Sequence, residues 1–194
     1  MGLLNWLFGG KPRPPSAPDS IWLTQDAKYR GMVRLAAEAV NKGRAVCVVA
    51  PFTETLEELK SAADWPSEAR FMLAAEMDPL SGGPLGSSGE LEVMVAERHF
   101  CCSEDEDLIV FCQGLPANCR IRFHLSLEDP LFQQLAGGAV GEMLSSLGMG
   151  PEEAIESSMV SRRITAAQQQ FCPDEARTMR AASASEWLHL NGHG

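Results

Sequence analysis

The sequence predicts an α/β fold: a mostly parallel sheet flanked by helices, continued by a C-terminal helical extension. Nearly continuous apolar runs at Arg44–Ala50, Phe71–Ala75 and Leu91–Ala96 have the pattern of strands covered on both faces. Between them stand segments with apolar residues at helical spacing, and strands alternating with helices imply a parallel sheet between helical layers. A chain of 194 residues, 45% of them apolar, suits one compact domain with tails.

Residues 1–20 read as a tail. Leu3, Leu4, Trp6, Leu7 and Phe8 form a short apolar segment, and Pro12, Pro14, Pro15 and Pro18 with two glycines make the following stretch a linker. The apolar segment is read either as a peripheral contact with a membrane or partner, or as a tail folded back on its own domain.

Residues 21–150 form the main predicted domain. Tyr29, Met32, Val33, Ala36, Ala37 and Val40 place one apolar face on a helix over Asp26–Val40. Thr24 is its N-cap, Asp26 suits its positive end and Gly43 stops it. The strand Arg44–Ala50 follows. A second helix starts near Thr53 or Thr55, where Thr55-Leu56-Glu57-Glu58 has capping-box form. Strands Phe71–Ala75 and Leu91–Ala96 flank a loop rich in glycine, serine and proline over 78–89. Residues 103–116 carry conflicting signals. Ser103-Glu104-Asp105-Glu106 has capping-box form and suits a helix, whereas Leu108-Ile109-Val110-Phe111 has strand propensity, and the reading leans to strand but leaves the segment ambiguous. Arg120–Leu127 is a strand with Ile121, Phe123, Leu125 and Leu127 on one face. Short helices are expected over 131–135 and 140–147.

Residues 151–194 form the predicted extension. A longer helix over 151–170 opens with Pro151 in its first turn and ends before Pro173. A small, polar tail then carries a last apolar patch at Trp187, Leu188 and Leu190.

Charge narrows the function. Twenty-six acidic and 16 basic side chains give a net charge of −10. That argues against nucleic acid, which needs a basic face, and against anionic membrane surfaces. No run reaches the ~18 apolar residues of a membrane span. No secretory leader pattern opens the sequence, so the expected compartment is the cytoplasm, where all six cysteines stay reduced. Membrane association through the apolar tail is left open.

Three segments, in order, resemble the SecA preprotein translocase ATPase family. Ile21-Trp22-Leu23-Thr24, Lys28-Tyr29 and Gly43–Ala50 look like the entry of its second nucleotide-binding motor domain. Glu97-Arg98-His99 and, 22 residues on, Arg122–Asp129 are similar to its "ERH" and "RFFLSLED" segments, with His124 standing at the second phenylalanine. Gly137-Gly138, Leu147-Gly148-Met149, Ile155–Arg162 and Ala167-Gln168 resemble the passage into its scaffold helix. The likeness implies a degenerate RecA-like motor domain of helicase type. Its retained framework would be Thr24, Lys28, Gly43, Glu97, Arg98, His99, Arg122, Leu125, Ser126, Glu128, Asp129, Met159, Arg162 and Gln168.

The chemistry-bearing motifs are missing from these segments. No G-x-x-x-x-G-K-[ST] occurs, and Gly82-Gly83-Pro84-Leu85-Gly86 has no lysine. The family's arginine-rich motif corresponds to 103–116, where no basic residue remains and three or four acids would face the phosphate. Its "NMAGRGTD"-like loop corresponds to Glu76–Gly83, with Leu80 in the arginine position. Such arginines are worth orders of magnitude in rate, so no catalytic residue, metal or cofactor is expected. A translocation component or a SecA-like motor is the expected protein partner.

Two other function classes stay open. Weak adenine-nucleotide binding without hydrolysis is one. The other is a thiol enzyme built on Cys101, Cys102 or Cys112, for instance with Cys102 activated by His99 or His124. The spacing of these cysteines lacks the usual zinc pairs, and buried structural thiols are the favoured reading. His99 is read as a structural hydrogen-bonding residue, and Glu97 and Arg98 as pairing locally or capping the sheet edge.

Overall fold

The computed structural model describes residues 18–62, 64–77, 89–136, 150, 152–172 and 179–193. Six strands are described: β1 (Ser20–Trp22), β2 (Ala45–Ala50), β3 (Arg70–Leu73), β4 (Glu90–Val95), β5 (Asn118–Ser126) and β6 (Ile155–Glu156). They form one sheet in the order β3-β2-β4-β5-β1-β6. Every neighbouring pair is parallel except β1 with β6. The predicted α/β class is therefore observed.

Alternation along each strand sends side chains to two cores. On one face Val46, Val48, Ala50 and Met94 pack against Tyr29, Met32, Ala36 and Ala39 of α1 (Gln25–Asn41) and Leu56 and Leu59 of α2 (Thr53–Ala62). On the other, Cys47, Val49, Val93, Val95 and Phe123 meet Leu108, Ile109 and Cys112 of α3 (Cys102–Gly114). The same core takes in Val160 and Ile164 of α5 (Ser158–Phe171) and Trp187 of α6 (Ala184–Leu190). The remaining helix, α4 (Pro130–Ala136), directly follows the turn after β5.

The ends of α1 follow the predicted chemistry. Thr24 Oγ1 accepts from the Ala27 amide at 3.1 Å. Gly43 adopts φ +75°, a left-handed conformation suited to a residue without Cβ. Gly31, by contrast, is needed for space: a Cβ there would overlap the indole of Trp22.

Several expectations are corrected. Residues 103–116 do not form a strand: Cys102–Gly114 is helical, with Cys101 at the N-cap and no side-chain capping bond. Asp105, Leu108, Ile109 and Cys112 share the buried side of that helix, and this packing overrides local strand propensity. The helix expected over 151–170 begins only at Ser158, capped by Ser157, whose side chain accepts from the Val160 amide. Upstream of it, Ile155–Glu156 pairs with β1 instead. The polar tail carries α6, with Trp187 1% exposed.

The cysteines do not all remain free thiols either. Cys101 and Cys172 form a disulfide with a Cα–Cα distance of 5.2 Å, while Cys47, Cys102, Cys112 and Cys119 are free. The expected helix over 140–147, the apolar tail Leu3–Phe8, Leu80 and the glycine-rich loop 82–86 lie outside the described residues.

Candidate functional site at the carboxyl end of the sheet

Parallel α/β sheets hold their ligands at the carboxyl ends of the strands. Here that end carries two buried polar clusters, split by the consecutive residues Glu97 and Arg98. Both follow β4 and both are buried, at 5% and 6% exposure.

The first cluster lies toward α1 and α2. Lys28 Nζ, fully buried, sits 2.6 Å from Asp129 Oδ1. Asp129 also accepts from the Ser126 amide and hydroxyl, each at 2.8 Å, closing the turn between β5 and α4. Ser126 Oγ further engages Gln25 Oε1 at 2.8 Å, and the Gln25 amide donates to Glu128 Oε2 at 2.7 Å. Glu97 accepts from the Thr55 hydroxyl. Burial, aided by the charge of Asp129 and opposed by Lys28, pushes the Glu97 carboxyl up to about 7.

The second cluster lies toward α3 and α5. Arg98 donates to Asp19 Oδ1 at 2.6 Å and to Asp105 Oδ2 at 3.2 Å, and its guanidinium lies 3.9 Å from the centre of the Phe123 ring. Burial opposes the Arg98 charge, but the carboxylates of Asp105 and Asp19 raise its pKa overall. Gln168 Nε2 donates at 2.6 Å both to Asp105 and to the His99 carbonyl. The His99 amide donates to Asp105 Oδ1 at 3.1 Å. His99 Nδ1 accepts from the Cys101 amide at 3.0 Å, and burial lowers the pKa of its ring. His99 therefore has the expected structural hydrogen-bonding role. Glu97 and Arg98 leave the strand end toward opposite layers, Arg98 pairing with nearby Asp105 and with Asp19, and Glu97 bonding to Thr55.

The structure thus brings together Lys28, Ser126, Glu128 and Asp129 on one side, and Arg98, His99 and Gln168 on the other. Leu125 is core. Arg122 lies apart, bonded to Glu156 of β6. Met159 is 52% exposed, and Arg162 is exposed with its Nε on the Ser158 carbonyl.

Asp19, Thr55 and Asp105 escaped the sequence reading. Asp105 was expected among acids facing phosphate, yet it points inward to Arg98. Its place three residues before Leu108 on the apolar side of α3 is the signal that could have found it.

The chain after α5 returns over this end of the sheet. The Glu54 amide donates to the Ala182 carbonyl at 3.0 Å. Phe100 stacks on Trp187 with centroids 4.6 Å apart, and Trp187 also faces His193 at 6.0 Å. The remaining cavity, about 200 Å³, is bordered by Thr53, His99, Asp105, Arg180 and Ala181. Cys102 Sγ donates to Glu106 at 3.3 Å. Cys112 hydrogen-bonds to Cys119 and its pKa is raised, while burial lifts Cys47 to about 12. The environments of Cys47 and Cys112 favour the thiol, whereas the bond from Cys112 lowers the pKa of Cys119. Among the described residues no three His, Cys, Asp or Glu side chains converge as a metal site.

The fold and these buried ion pairs define an α/β domain with a mostly parallel sheet and an ionic framework at its carboxyl end. No family model matches the chain. It is 31% identical over 180 residues to the protein translocase subunit SecA of Desulfotalea psychrophila, covering 77% of this chain and 21% of that protein. SecA of Acinetobacter baylyi is 32% identical over 154 residues, covering 78% of this chain and 15% of its own length. SecA 1 of Rhodopirellula baltica is 48% identical over 82 residues, or 41% of this chain and 6% of that protein. The chain contains a SecA-related region, and it spans about a fifth or less of the length of these relatives. Among the described residues, no helix is long and apolar enough to cross a membrane.

Proposed function

We propose that this chain is a non-catalytic, SecA-like pseudo-motor domain that acts as an interaction or accessory module in preprotein translocation. The observation that carries the reading is the state of the sheet's carboxyl end. Arg98 is consumed by Asp19 and Asp105, Lys28 by Asp129, and the segment around Ala182 lies against the N-terminus of α2. About 200 Å³ is left, below the ~300–1,000 Å³ typical of small-molecule sites. The missing lysine-bearing glycine loop and the acidic 103–107 segment point the same way. The partner on this reading is a translocation component or a SecA motor, met in the cytoplasm, with Leu3, Leu4, Trp6, Leu7 and Phe8 available for peripheral membrane contact.

Calorimetric titration of the pure chain with magnesium ATP and ADP, alone and with a SecA motor, tests this. No nucleotide heat, no phosphate release and a saturable heat on adding the motor are expected. Magnesium-dependent turnover by the pure chain would overturn the reading. The second reading, nucleotide binding without hydrolysis, draws on that same cavity, which Arg180 and Thr53 of α2 line. It requires saturable adenine-nucleotide heat that is lost in Arg180→Glu.

A further inference from the structure

We propose that the exposed edge of β5 is a docking slot for an extended peptide segment carrying one acidic side chain, contributed by another protein. This goes beyond the reading above, because it names a separate surface and the chemistry of what fills it.

The slot follows from unequal strand lengths. β5 has nine residues, and β4 pairs with it from Asn118 to Phe123. On its other side β1 has three residues and pairs only with His124, Leu125 and Ser126. Pro18, just before Asp19, has no amide hydrogen with which to carry β1 further back. Among the described residues, no strand therefore pairs with the outer edge of β5 between Cys119 and Phe123. Free strand edges are templates for strand addition.

A cavity of about 420 Å³ lies along this edge. Leu35 and Ala39 of α1, with Arg44, Glu92 and Met94 on the same face of the sheet, line it from one layer, and Cys112 and Gln113 of α3 from the other. The cavity thus starts on the α1 face of β4 and β5 and wraps around the edge of β5, past the place where a further strand would run. His124 lines it, is 1% exposed and leaves both ring nitrogens without a hydrogen-bond partner among the described residues. Buried polar atoms of this kind are expected to be satisfied, and a bound backbone supplies both a donor and an acceptor.

Alternation specifies the occupant's side chains. Arg120, Arg122 and His124 point to the α1 side, whereas Cys119 and Ile121 join the α3 core. On the α1 side Lys42 pairs with Glu38, Arg44 with Glu90 and Glu92, and Arg122 with Glu156. Arg120, exposed on the same side opposite Glu92, forms no close ion pair among the described residues, and its charge acts only at longer range on Glu90. The complementary strand therefore presents small apolar residues toward α3 and a carboxylate toward Arg120.

The probe is a fluorescein-labelled hexapeptide of alternating valine and serine with one central serine replaced by glutamate, blocked at both ends, titrated into the full chain. We expect saturable anisotropy, at least tenfold weaker binding in the exposed variant Arg120→Glu, and weaker binding in His124→Phe. Peptide should slow exchange at least tenfold at the Cys119, Ile121 and Phe123 amides, which face away from β4. Equal binding by a valine–lysine hexapeptide, equal competition by glutarate or no effect of Arg120→Glu would overturn the proposal. So would Cys119, Ile121 and Phe123 amides already protected in the free chain, since these face away from β4 and the slot would then be filled from within. The nucleotide titration is read independently, so its failure and this one are distinguishable.

Discussion

Lys28 and Asp129, far apart in the chain, meet in an ion pair of 2.6 Å that is closed to solvent on both sides. It joins the first turn of α1 to the turn between β5 and α4, so it ties one helical layer to the end of the sheet. Removing one partner strands the other charge in the interior. Lys28→Met should cost about 3–5 kcal/mol in urea unfolding. Lys28→Met combined with Asp129→Asn should recover more than half of that loss. A single variant within about 0.5 kcal/mol of the parent would show that water reaches the pair.

The pH dependence should contain two opposing parts. The Glu97 carboxyl is raised from an ordinary 4.5 to about 7, so the folded state holds its proton longer than the unfolded chain. Its contribution is favourable at low pH and is lost as pH rises from about 4.5 to 7, on the order of 3 kcal/mol. Denaturation midpoints of Glu97→Gln against the parent across this interval measure the slope, which should flatten in the variant.

His124 works with the opposite sign. Burial first, then the charges of Arg122 and Lys28, hold its ring at about 3 against an ordinary 6.5. The unfolded chain takes up the proton more readily, so stability is complete above 6.5 and falls as pH drops toward 3. His124→Phe should make the protein more resistant to acid, with circular dichroism at pH 4 as the readout. An unchanged acid midpoint would mean that the ring has a charged state the fold accommodates.

The Cys101–Cys172 bond closes a loop of 71 residues and fastens the end of α5 to the entry of α3. Under denaturing, non-reducing conditions four thiols should react with a thiol reagent, and six after reduction. Cys101→Ser with Cys172→Ser should lower stability by about 2–4 kcal/mol. Six reactive thiols before reduction would refute the bond.

Gly31 and Trp22 form a steric pair. Gly31→Ala gains helix propensity of up to ~1 kcal/mol but forces the buried indole aside, which costs about 1–3 kcal/mol. A lowered melting temperature is expected. Trp22→Phe should reduce the penalty of the added methyl group when the two changes are combined.

Much of the architecture was legible because local and tertiary signals agreed. The apolar run of β2, the Thr24 cap and the Gly43 stop each have one physical reading, and each stands as expected. Where the signals disagreed, sequence reasoning chose wrongly. Leu108–Phe111 has strand propensity, but Asp105, Leu108, Ile109 and Cys112 are also spaced for one helix face, and contact with the sheet decides between them. β6 has only two residues and gives no period to detect. In the site, Lys28, Arg98, Asp129 and Gln168 stood out through resemblance. Asp19 did not, because an isolated acid carries no mark of burial until its arginine is placed beside it, and the spacing of Asp105 with Leu108 counts only once that segment is read as a helix. Cys172 likewise shows nothing in sequence that ties it to Cys101.

The place of β1 in the sheet has a consequence for how the chain is made. Its neighbours, β5 and β6, lie on the order of a hundred residues and more downstream. During synthesis β2, β3 and β4 can pair as they emerge, whereas β1 has no mate until most of the polypeptide has left the ribosome. Until then β4 presents an open flank, and the Lys28 side chain lacks Asp129. The nascent chain is thus most vulnerable to association with its own kind over that interval, and a chaperone acting on it would do so before Ser126 is released.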